Sequence, residues 1–366
     1  MSNSLKAPFR ADQVGSLLRP EKLLKARNEW KDKKISKTEL EQIETKEIKR
    51  IVDKQIEIGL QAVTDGEFRR DWWHLDFLEE LNGLTGYVPE HGYKFADLET
   101  EAYDVKNTDR ISFNPEHSFL KHFKNFKEIV AGRAVAKQTI PSPNQLFHPG
   151  IRNQTIYPEI EDYAADIVKT YQTAVQAFYQ AGVRYLQFDD VYLASLSSPD
   201  ISYQNSKYSR EYLIELAVQI VNEILQDKPS DLTVTTHLCR GNYQSSWAFA
   251  GSYDLIAPIL FAQEKVDGFF LEYDDERAGS FEPLKYIPTA GPKVVLGLIS
   301  SKTGTLENKE EIKEKVEAAS QYINLKQLCL SPQCGFASTH HGNNLTEEAQ
   351  WQKLALITKI ATEIWN

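Results

Sequence analysis

Cysteine and methionine are scarce in this chain, which has three cysteines and one methionine among 366 residues. An odd cysteine count, in a sequence whose N-terminus shows no secretion signal, argues against the disulfide framework of small secreted domains. Cys239, Cys329 and Cys334 are therefore left for catalysis, metal binding or packing in the core.

Long apolar runs and an excess of positive charge are also missing. No segment approaches the ~20 apolar residues that a membrane span needs, and residues 1–13 lack the apolar centre of a signal peptide. A net charge of −10 disfavours nucleic acid as a partner, because phosphate binding needs a basic surface. We therefore expect a cytoplasmic protein that binds neither membrane nor nucleic acid.

No G-x-G-x-x-G motif follows an early strand, which excludes the dinucleotide-binding form of an open doubly wound sheet. Short β-rich runs instead alternate with helical ones, without a linker between them. About eight such units fit one (β/α)8 TIM barrel, so we predict an α/β fold with a single barrel domain over residues 1–366. Residues 84–127 are predicted to be an insertion after the second strand. The predicted strands are 9–16, 61–67, 128–140, 184–190, 232–239, 266–274, 293–300 and 326–335.

Metal-binding residue types occur where several predicted strands end. His237 and Cys239 end the fifth strand, Glu272 ends the sixth and Cys334 ends the eighth. The carboxyl ends of barrel strands form one face, and residues i and i+2 of a strand point to the same side. The four side chains are therefore predicted to converge at the mouth of the barrel.

One imidazole, one carboxylate and two thiolates suit a tetrahedral zinc ion, whereas magnesium and calcium prefer oxygen ligands. Each piece alone has a simpler explanation, because cysteine is often just a small buried residue. Cys329 lies inside a predicted strand and is assigned to the core on that ground. Ligands from three strand ends favour a working site, since structural zinc usually draws its ligands from short paired knuckles.

The combined pattern resembles the cobalamin-independent methionine synthase family. The H-x-C motif, a later glutamate and a P-x-C-G strand end occur in the order found in that family, together with the segments QVGSLLRP (13–20), TDGEFRRDWW (64–73) and LQFDD (186–190). The resemblance covers almost the whole chain, but only the catalytic C-terminal half of the long family members. Short bacterial homologues with motifs of the FRADQVGSLLRP and GLISSK type are more similar.

The resemblance implies roles for residues outside the metal cluster. Gly15, Ser16, Glu67 and Asp189 would hold the amino-acid part of homocysteine, with Glu67 and Asp189 as the catalytic carboxylates. Carboxylates suit its ammonium group, and hydroxyl and backbone N–H groups suit its carboxylate. Asp189 and the neighbouring Asp190 both have a second interpretation, because an acidic residue after a strand commonly caps the next helix; substrate binding is favoured for Asp189 over Asp190.

The sequence departs from the family in the loop after the seventh strand. Long members have a histidine there that is thought to protonate the departing folate, whereas this chain has GLISSKTG (297–304). Lys302, His340 and His341 are the alternative proton donors, although a lysine matches neutral pH poorly and adjacent loop histidines are often solvent-exposed. The methyl donor is therefore left open.

Aromatic residues near the predicted strand ends offer stacking surfaces for a flat donor. Trp72, Trp73 and Phe147 could stack on a pterin, and packing in the core is the competing interpretation.

The sequence thus predicts a zinc-dependent methyltransferase that acts on a small thiol, homocysteine, to give methionine. Methyl-folate, methylcobalamin and a methylated sulfur compound remain as donors, and a homo-oligomer remains open. The alternatives are alkyl transfer to a different small thiol and a zinc hydrolase, which would more often use histidine-rich ligation. A non-enzymatic scaffold would gain nothing from polar residues clustered at strand ends.

Overall fold

A parallel β-sheet of seven strands forms the centre of the molecule in the computed structural model, which describes residues 6–198 and 207–365. All six neighbouring pairs in the sheet are parallel, so the carboxyl ends of the strands share one face. In sheet order the strands are β1 (Ala62–Val63), β4 (Val135–Pro141), β5 (Tyr185–Asp190), β6 (Thr233–Leu238), β7 (Gly268–Glu272), β8 (Lys293–Ile299) and β9 (Leu328–Pro332).

The N-terminal segment, predicted as the first strand, pairs only through isolated bridges. Ala11 bridges Leu330 of β9, and Ser16 bridges Gly66 just after β1, both in parallel orientation. Consistent with these bridges, Asp12 N donates to Leu330 O at 3.0 Å. One short segment therefore contacts the edge strand β9 and the chain that follows the other edge strand, β1.

Helices alternate with the strands and pack around the sheet. The long α2 begins with a capping box, in which Ser36 accepts from Glu39 N and the Glu39 carboxylate accepts from Ser36 N. The described helices are α1 (Glu21–Lys31), α2 (Lys37–Glu57), α3 (Leu75–Leu78), α4 (Ser118–Val130), α5 (Ile160–Ala181), α6 (Tyr192–Ser197), α7 (Arg210–Leu225), α8 (Ala257–Gln263), α9 (Lys309–Ala319) and α10 (Glu347–Trp365). Within the described ranges, none of these helices has the length and apolarity that a bilayer crossing demands.

The segment predicted as an insertion contains an antiparallel hairpin. Its strands are β2 (Asn82–Tyr87) and β3 (Asp104–Ser112). Residues 118–127, which the sequence placed in the insertion, instead form most of α4, and α4 packs against α2, α5 and β4. The predicted strand 128–140 also began too early, because α4 continues to Val130 and a turn separates it from β4. The start of this strand was predicted wrongly because the end of α4 and the beginning of β4 both carry apolar residues and only a short turn separates them.

A buried ion pair lies inside the sheet, on the side of the strand amino ends. Lys137 Nζ is 3.4 Å from Asp12 Oδ1, and neither side chain has any exposure to solvent. The Lys137 ammonium also lies 4.0 Å from the centre of the Phe270 ring. Tyr185 donates its hydroxyl to Asp12 Oδ2 at 2.9 Å. This network ties the N-terminal segment to β4, β5 and β7.

Candidate metal centre and adjoining cavity

Four potential metal ligands converge at the carboxyl ends of three strands. His237 lies in β6 and Cys239 directly follows it, Glu272 ends β7, and Cys334 comes two residues after β9. One ligand atom from each residue lies within 4.8 Å of the others, and all four residues are buried. The two sulfur atoms are 3.4 Å apart. The structure thus brings together the side chains from which the sequence predicted a zinc site.

The chemistry of this cluster fits a soft or borderline metal ion. Cys239 and Cys334 are free thiols rather than a disulfide. Neither ring nitrogen of His237 finds a hydrogen-bond partner among the described residues, although both nitrogens are buried. A buried polar atom without a partner is costly, and coordination would satisfy it. The Cys239 thiol, followed by the His237 imidazole, lowers the pKa of Cys334 to about 5, so a thiolate is favoured there.

Glu272 is held on the side of the cluster that faces away from the cavity described below. Its Oε1 accepts from Arg240 N at 2.8 Å, and its Oε2 accepts from Gln333 Nε2 at 3.1 Å. Lys302 Nζ is 3.9 Å from the same Oε2. Lys302 is thus a buried partner of this carboxylate and is not among the residues that line the cavity.

A cavity of about 270 Å³ adjoins the other three ligands. His237, Cys239 and Cys334 line this cavity together with the carboxylate residues Glu67 and Asp189. Asp189 and His237 are paired neighbours in the register of β5 and β6. The parallel register therefore places a carboxylate beside the metal cluster.

Glu67 presents one free carboxylate oxygen. Its Oε1 accepts from Thr139 Oγ1 at 2.8 Å and lies 3.3 Å from Arg70 Nη1. Its Oε2 is buried without a hydrogen-bond partner in the described part of the chain. Burial raises the pKa of Glu67, and Arg70 opposes that shift. The residue has a φ of 60°, a left-handed conformation that is unfavourable for a residue with a side chain.

The two consecutive aspartates at the end of β5 differ in their surroundings. Asp189 lines the cavity and accepts from Gln187 Nε2 at 2.7 Å, and burial raises its pKa to about 7. Asp190 instead accepts from Leu193 N at 2.7 Å and from Asn144 Nδ2 at 2.9 Å. Asp190 thus caps the first turn of α6, in agreement with its second interpretation.

Ser16 and Gly15 lie beside these carboxylates. Ser16 lines the cavity, and its hydroxyl accepts from Ala337 N at 3.3 Å. A Cβ atom on Gly335 would overlap the Ser16 hydroxyl, so this close approach requires glycine. Gly15 is not among the lining residues; a Cβ there would lie 2.8 Å from Thr139 Cγ2. Gly15 therefore allows Thr139 and Glu67 to approach the chain.

A large part of the cavity lining is aromatic and is called the aromatic wall below; most of its residues were missed by sequence reasoning. Its six rings come from three loops and belong to Trp72, Trp73, Tyr93, Phe95, Tyr243 and Phe249. Of the three residues proposed for stacking, only the two tryptophans line the cavity. Phe147 instead packs against Tyr163, with ring centres 5.5 Å apart. Tyr93 and Phe95 lie between β2 and β3, and no local pattern predicts that this segment returns to the strand ends.

Backbone hydrogen bonds hold the β2–β3 connection and the loop after β1 over the cavity. Ala96 N donates to Trp247 O at 2.8 Å, and Trp73 N donates to Ser338 O at 3.0 Å. Residues of these two segments thereby form part of the cavity lining, although the segments lie far from the metal cluster in sequence.

The histidines near the cavity fall into two groups. His74 and His148 line it, and burial lowers their pKa values to about 3 and about 4. His340 and His341 do not line it; one nitrogen of each and a carboxylate oxygen of Glu101 lie within 4.8 Å of one another at the surface. The predicted proton donors His340 and His341 therefore lie outside the cavity wall.

A parallel α/β sheet with a potential metal centre at its strand ends, beside a covered cavity, defines a TIM-barrel-like enzyme class. The chain belongs to the cobalamin-independent methionine synthase family, a family of methyltransferases, as the sequence resemblance indicated. The family model described as "Cobalamin-independent synthase, Catalytic domain" matches residues 143–361.

Relatives along the whole chain agree with this assignment. The uncharacterized protein YxjG of Bacillus subtilis strain 168 is 48% identical over 99% of this chain and 96% of its own length. The methionine synthase of Sulfolobus acidocaldarius is 24% identical over 88% of this chain and 84% of its own length.

Solved structures show the same fold. A Listeria monocytogenes protein described as a candidate vitamin-B12-independent methionine synthase is 43% identical, with a TM-score of 0.81 over 99% of both chains. A B12-independent methionine synthase from Shewanella sp. W3-18-1 is 19% identical, with a TM-score of 0.73 over 98% of both chains.

Proposed function

We propose that this protein transfers a methyl group to the thiol of homocysteine, forming methionine, with a zinc ion held by His237, Cys239, Glu272 and Cys334. The observation that carries the proposal is the position of two soft-donor thiols beside the carboxylate of Glu67 in one covered cavity. Such a cavity can bind a thiol at one end and an ammonium group at the other. The family membership supports methyl transfer as the reaction.

The chain's own residues bind and orient the amino acid. The free Oε2 of Glu67 and the carboxylate of Asp189 accept hydrogen bonds from the ammonium group, and Ser16 binds the carboxylate. Gly15, which does not line the cavity, contributes by letting Thr139 and Glu67 approach the chain. When bound, zinc would keep the substrate sulfur deprotonated, since coordination removes a thiol proton outright. The sulfur is then ready for attack on a methyl group.

Glu272 is the ligand that we expect to withdraw when the substrate thiol binds, because a carboxylate is the hardest of the four donors. Arg240 N, Gln333 and Lys302 already surround this carboxylate and would satisfy it after withdrawal. Zinc X-ray absorption with and without homocysteine tests this step. An unchanged Zn–O contribution on binding would contradict it.

We also propose that residues 11–16 take the place of the eighth strand between β9 and β1, which would close the sheet into a (β/α)8 barrel over one domain. The two parallel bridges of this segment support that arrangement. The β2–β3 hairpin would then be an insertion after the second barrel strand.

The test of the metal centre compares two cysteines in the same protein. Cys239→Ser should lose zinc, measured by plasma mass spectrometry, and lose methyl transfer while the far-ultraviolet circular dichroism is unchanged. Cys329→Ser is the matched control, because Cys329 is buried in β9 away from the cluster. Full zinc occupancy in Cys239→Ser would remove the proposed ligand set.

A further inference from the structure

We propose that the methyl donor is a small sulfonium compound, held between the aromatic wall and the substrate thiol. This inference rests on the proposed function, since it names the second substrate of the same site. It follows from the size of the cavity, the aromatic character of its lining, and the lack of a histidine or lysine placed to donate a proton among the described residues that line it.

The size of the cavity favours a small donor. Its volume of about 270 Å³ is at the lower limit of the ~300–1,000 Å³ that small-molecule sites usually have. Homocysteine must occupy part of this space. The Ala96–Trp247 hydrogen bond keeps the β2–β3 connection over the remaining part. A pterin with its glutamate tail, or a corrinoid, is larger than this space and would have to extend beyond the cavity lining, whereas a small alkyl sulfonium fits inside it.

The walls of the cavity favour a cation. Lys94, which is exposed, is the one lysine or arginine among the described lining residues, so little positive charge opposes a cation there. Half-buried Phe95 packs on Tyr243 with ring centres 5.4 Å apart. Aromatic faces attract cations that carry only alkyl groups, as in the aromatic cages that recognise quaternary ammonium ions. A sulfonium ion has the same property of charge without an N–H group.

The chemistry of the leaving group points the same way. A folate donor leaves through a nitrogen that must take up a proton, yet His74 and His148 are held neutral by burial. Lys302 faces Glu272 instead of the cavity. The Asp189 carboxylate is assigned to the substrate ammonium in the proposed function. A sulfonium donor avoids this requirement.

The transfer step balances without an acid. A lone pair of the homocysteine thiolate forms the new bond to the methyl carbon, and the bond between that carbon and the sulfonium sulfur breaks. The electron pair of the broken bond stays on the departing sulfur, which leaves as a neutral thioether. The negative charge of the thiolate and the positive charge of the sulfonium ion are both lost in this step, and no proton is transferred.

Binding of a simple probe tests the aromatic wall without relying on turnover. Trimethylsulfonium and the neutral tert-butanol, of similar size, are titrated against the zinc- and homocysteine-loaded protein by proton NMR. Wild type should bind the cation more tightly. Phe95→Leu should weaken binding of the cation by about 2- to 30-fold, the range of one cation–π contact, with less than a twofold effect on the neutral probe.

Equal affinity of wild type for the two probes would overturn the proposal. Equal losses for both probes in Phe95→Leu would also overturn it, since they would indicate that the ring only shapes the wall. Lys106→Leu is a matched control in the same hairpin, because its ammonium lies over Tyr87 and away from the cavity lining. It should leave both affinities unchanged.

A donor screen separates failure of this inference from failure of the proposed function. Methionine formation is measured with S-methylmethionine, S-adenosylmethionine, methyl-folate mono- and triglutamate, and methylcobalamin. We expect turnover with S-methylmethionine. Turnover with folate or cobalamin donors alone would reject the sulfonium donor and keep the methyltransferase, and turnover with S-adenosylmethionine alone would reject the small donor. Failure of homocysteine to bind the zinc-loaded protein would instead reject the proposed function.

Discussion

Replacing Glu67 with glutamine is expected to weaken binding of homocysteine strongly. The Glu67 Oε2 atom is buried without a partner, so the substrate ammonium would supply its one charged hydrogen bond. A hydrogen bond to a charged group contributes about 1.5–3 kcal/mol, which corresponds to a roughly 10- to 150-fold increase in Kd. We expect the upper half of this range, because the glutamine amide can turn an N–H group toward the ammonium.

The assay is isothermal titration calorimetry of homocysteine with zinc-loaded protein. Asp190→Asn is the matched control, since this carboxylate stands at a neighbouring strand end but accepts from Leu193 N and Asn144 and is not among the residues that line the cavity. It should bind homocysteine as wild type does, and Glu67→Gln should keep full zinc content. A Kd for Glu67→Gln within twofold of wild type would refute the assignment of this residue to the ammonium group.

Three further substitutions test the packing around the site and the sheet. Burial raises the pKa of Glu264 to about 8 from an ordinary 4.5, so the folded state holds a proton that the unfolded chain has lost, and stability should fall as pH rises between these values. Glu264→Gln should abolish this decline and gain up to roughly 5 kcal/mol at pH 8 in urea unfolding, at about 1.4 kcal/mol per pKa unit; an unchanged pH profile would contradict this. Lys137→Met should lose about 3–5 kcal/mol in the same assay, because Asp12 is left buried without its cation. Adding Asp12→Asn should recover part of that loss, and no recovery would show that the charge is not the cause. Gly335→Ala should lower the melting temperature by an amount equivalent to about 1–3 kcal/mol and reduce zinc content, since its methyl group overlaps Ser16; a wild-type melting temperature and zinc content would contradict this.

The sequence analysis was most successful for side-chain positions that follow from the two-residue repeat of a β-strand. His237 and Cys239 are two residues apart at the end of β6, so the pleat directs both to one side, and the parallel register brings Glu272 to the same face. The alternation of β-rich and helical runs identified the seven sheet strands in their order. The N-terminal segment, predicted as the first strand, differs from this prediction because it pairs only through single bridges at Ala11 and Ser16.

The features that the sequence did not predict depend on contacts between distant segments. Tyr93 and Phe95 reach the cavity because the β2–β3 connection folds back and Ala96 N donates to Trp247 O, a residue about two fifths of the chain away. Nothing in the local pattern of polar and apolar residues determines such a return. The different roles of Asp189 and Asp190 likewise depend on which donors lie near each carboxylate.

The left-handed backbone at Glu67 has a consequence for how this protein can change. A glycine at this position would relax the main chain at no steric cost and would remove a buried, partly uncompensated carboxylate. Selection for thermal stability alone should therefore accept glycine at position 67, and the resulting variants would be more stable but catalytically inactive. The chain thus keeps a residue with an unfavourable backbone conformation at the position where substrate recognition depends on its side chain.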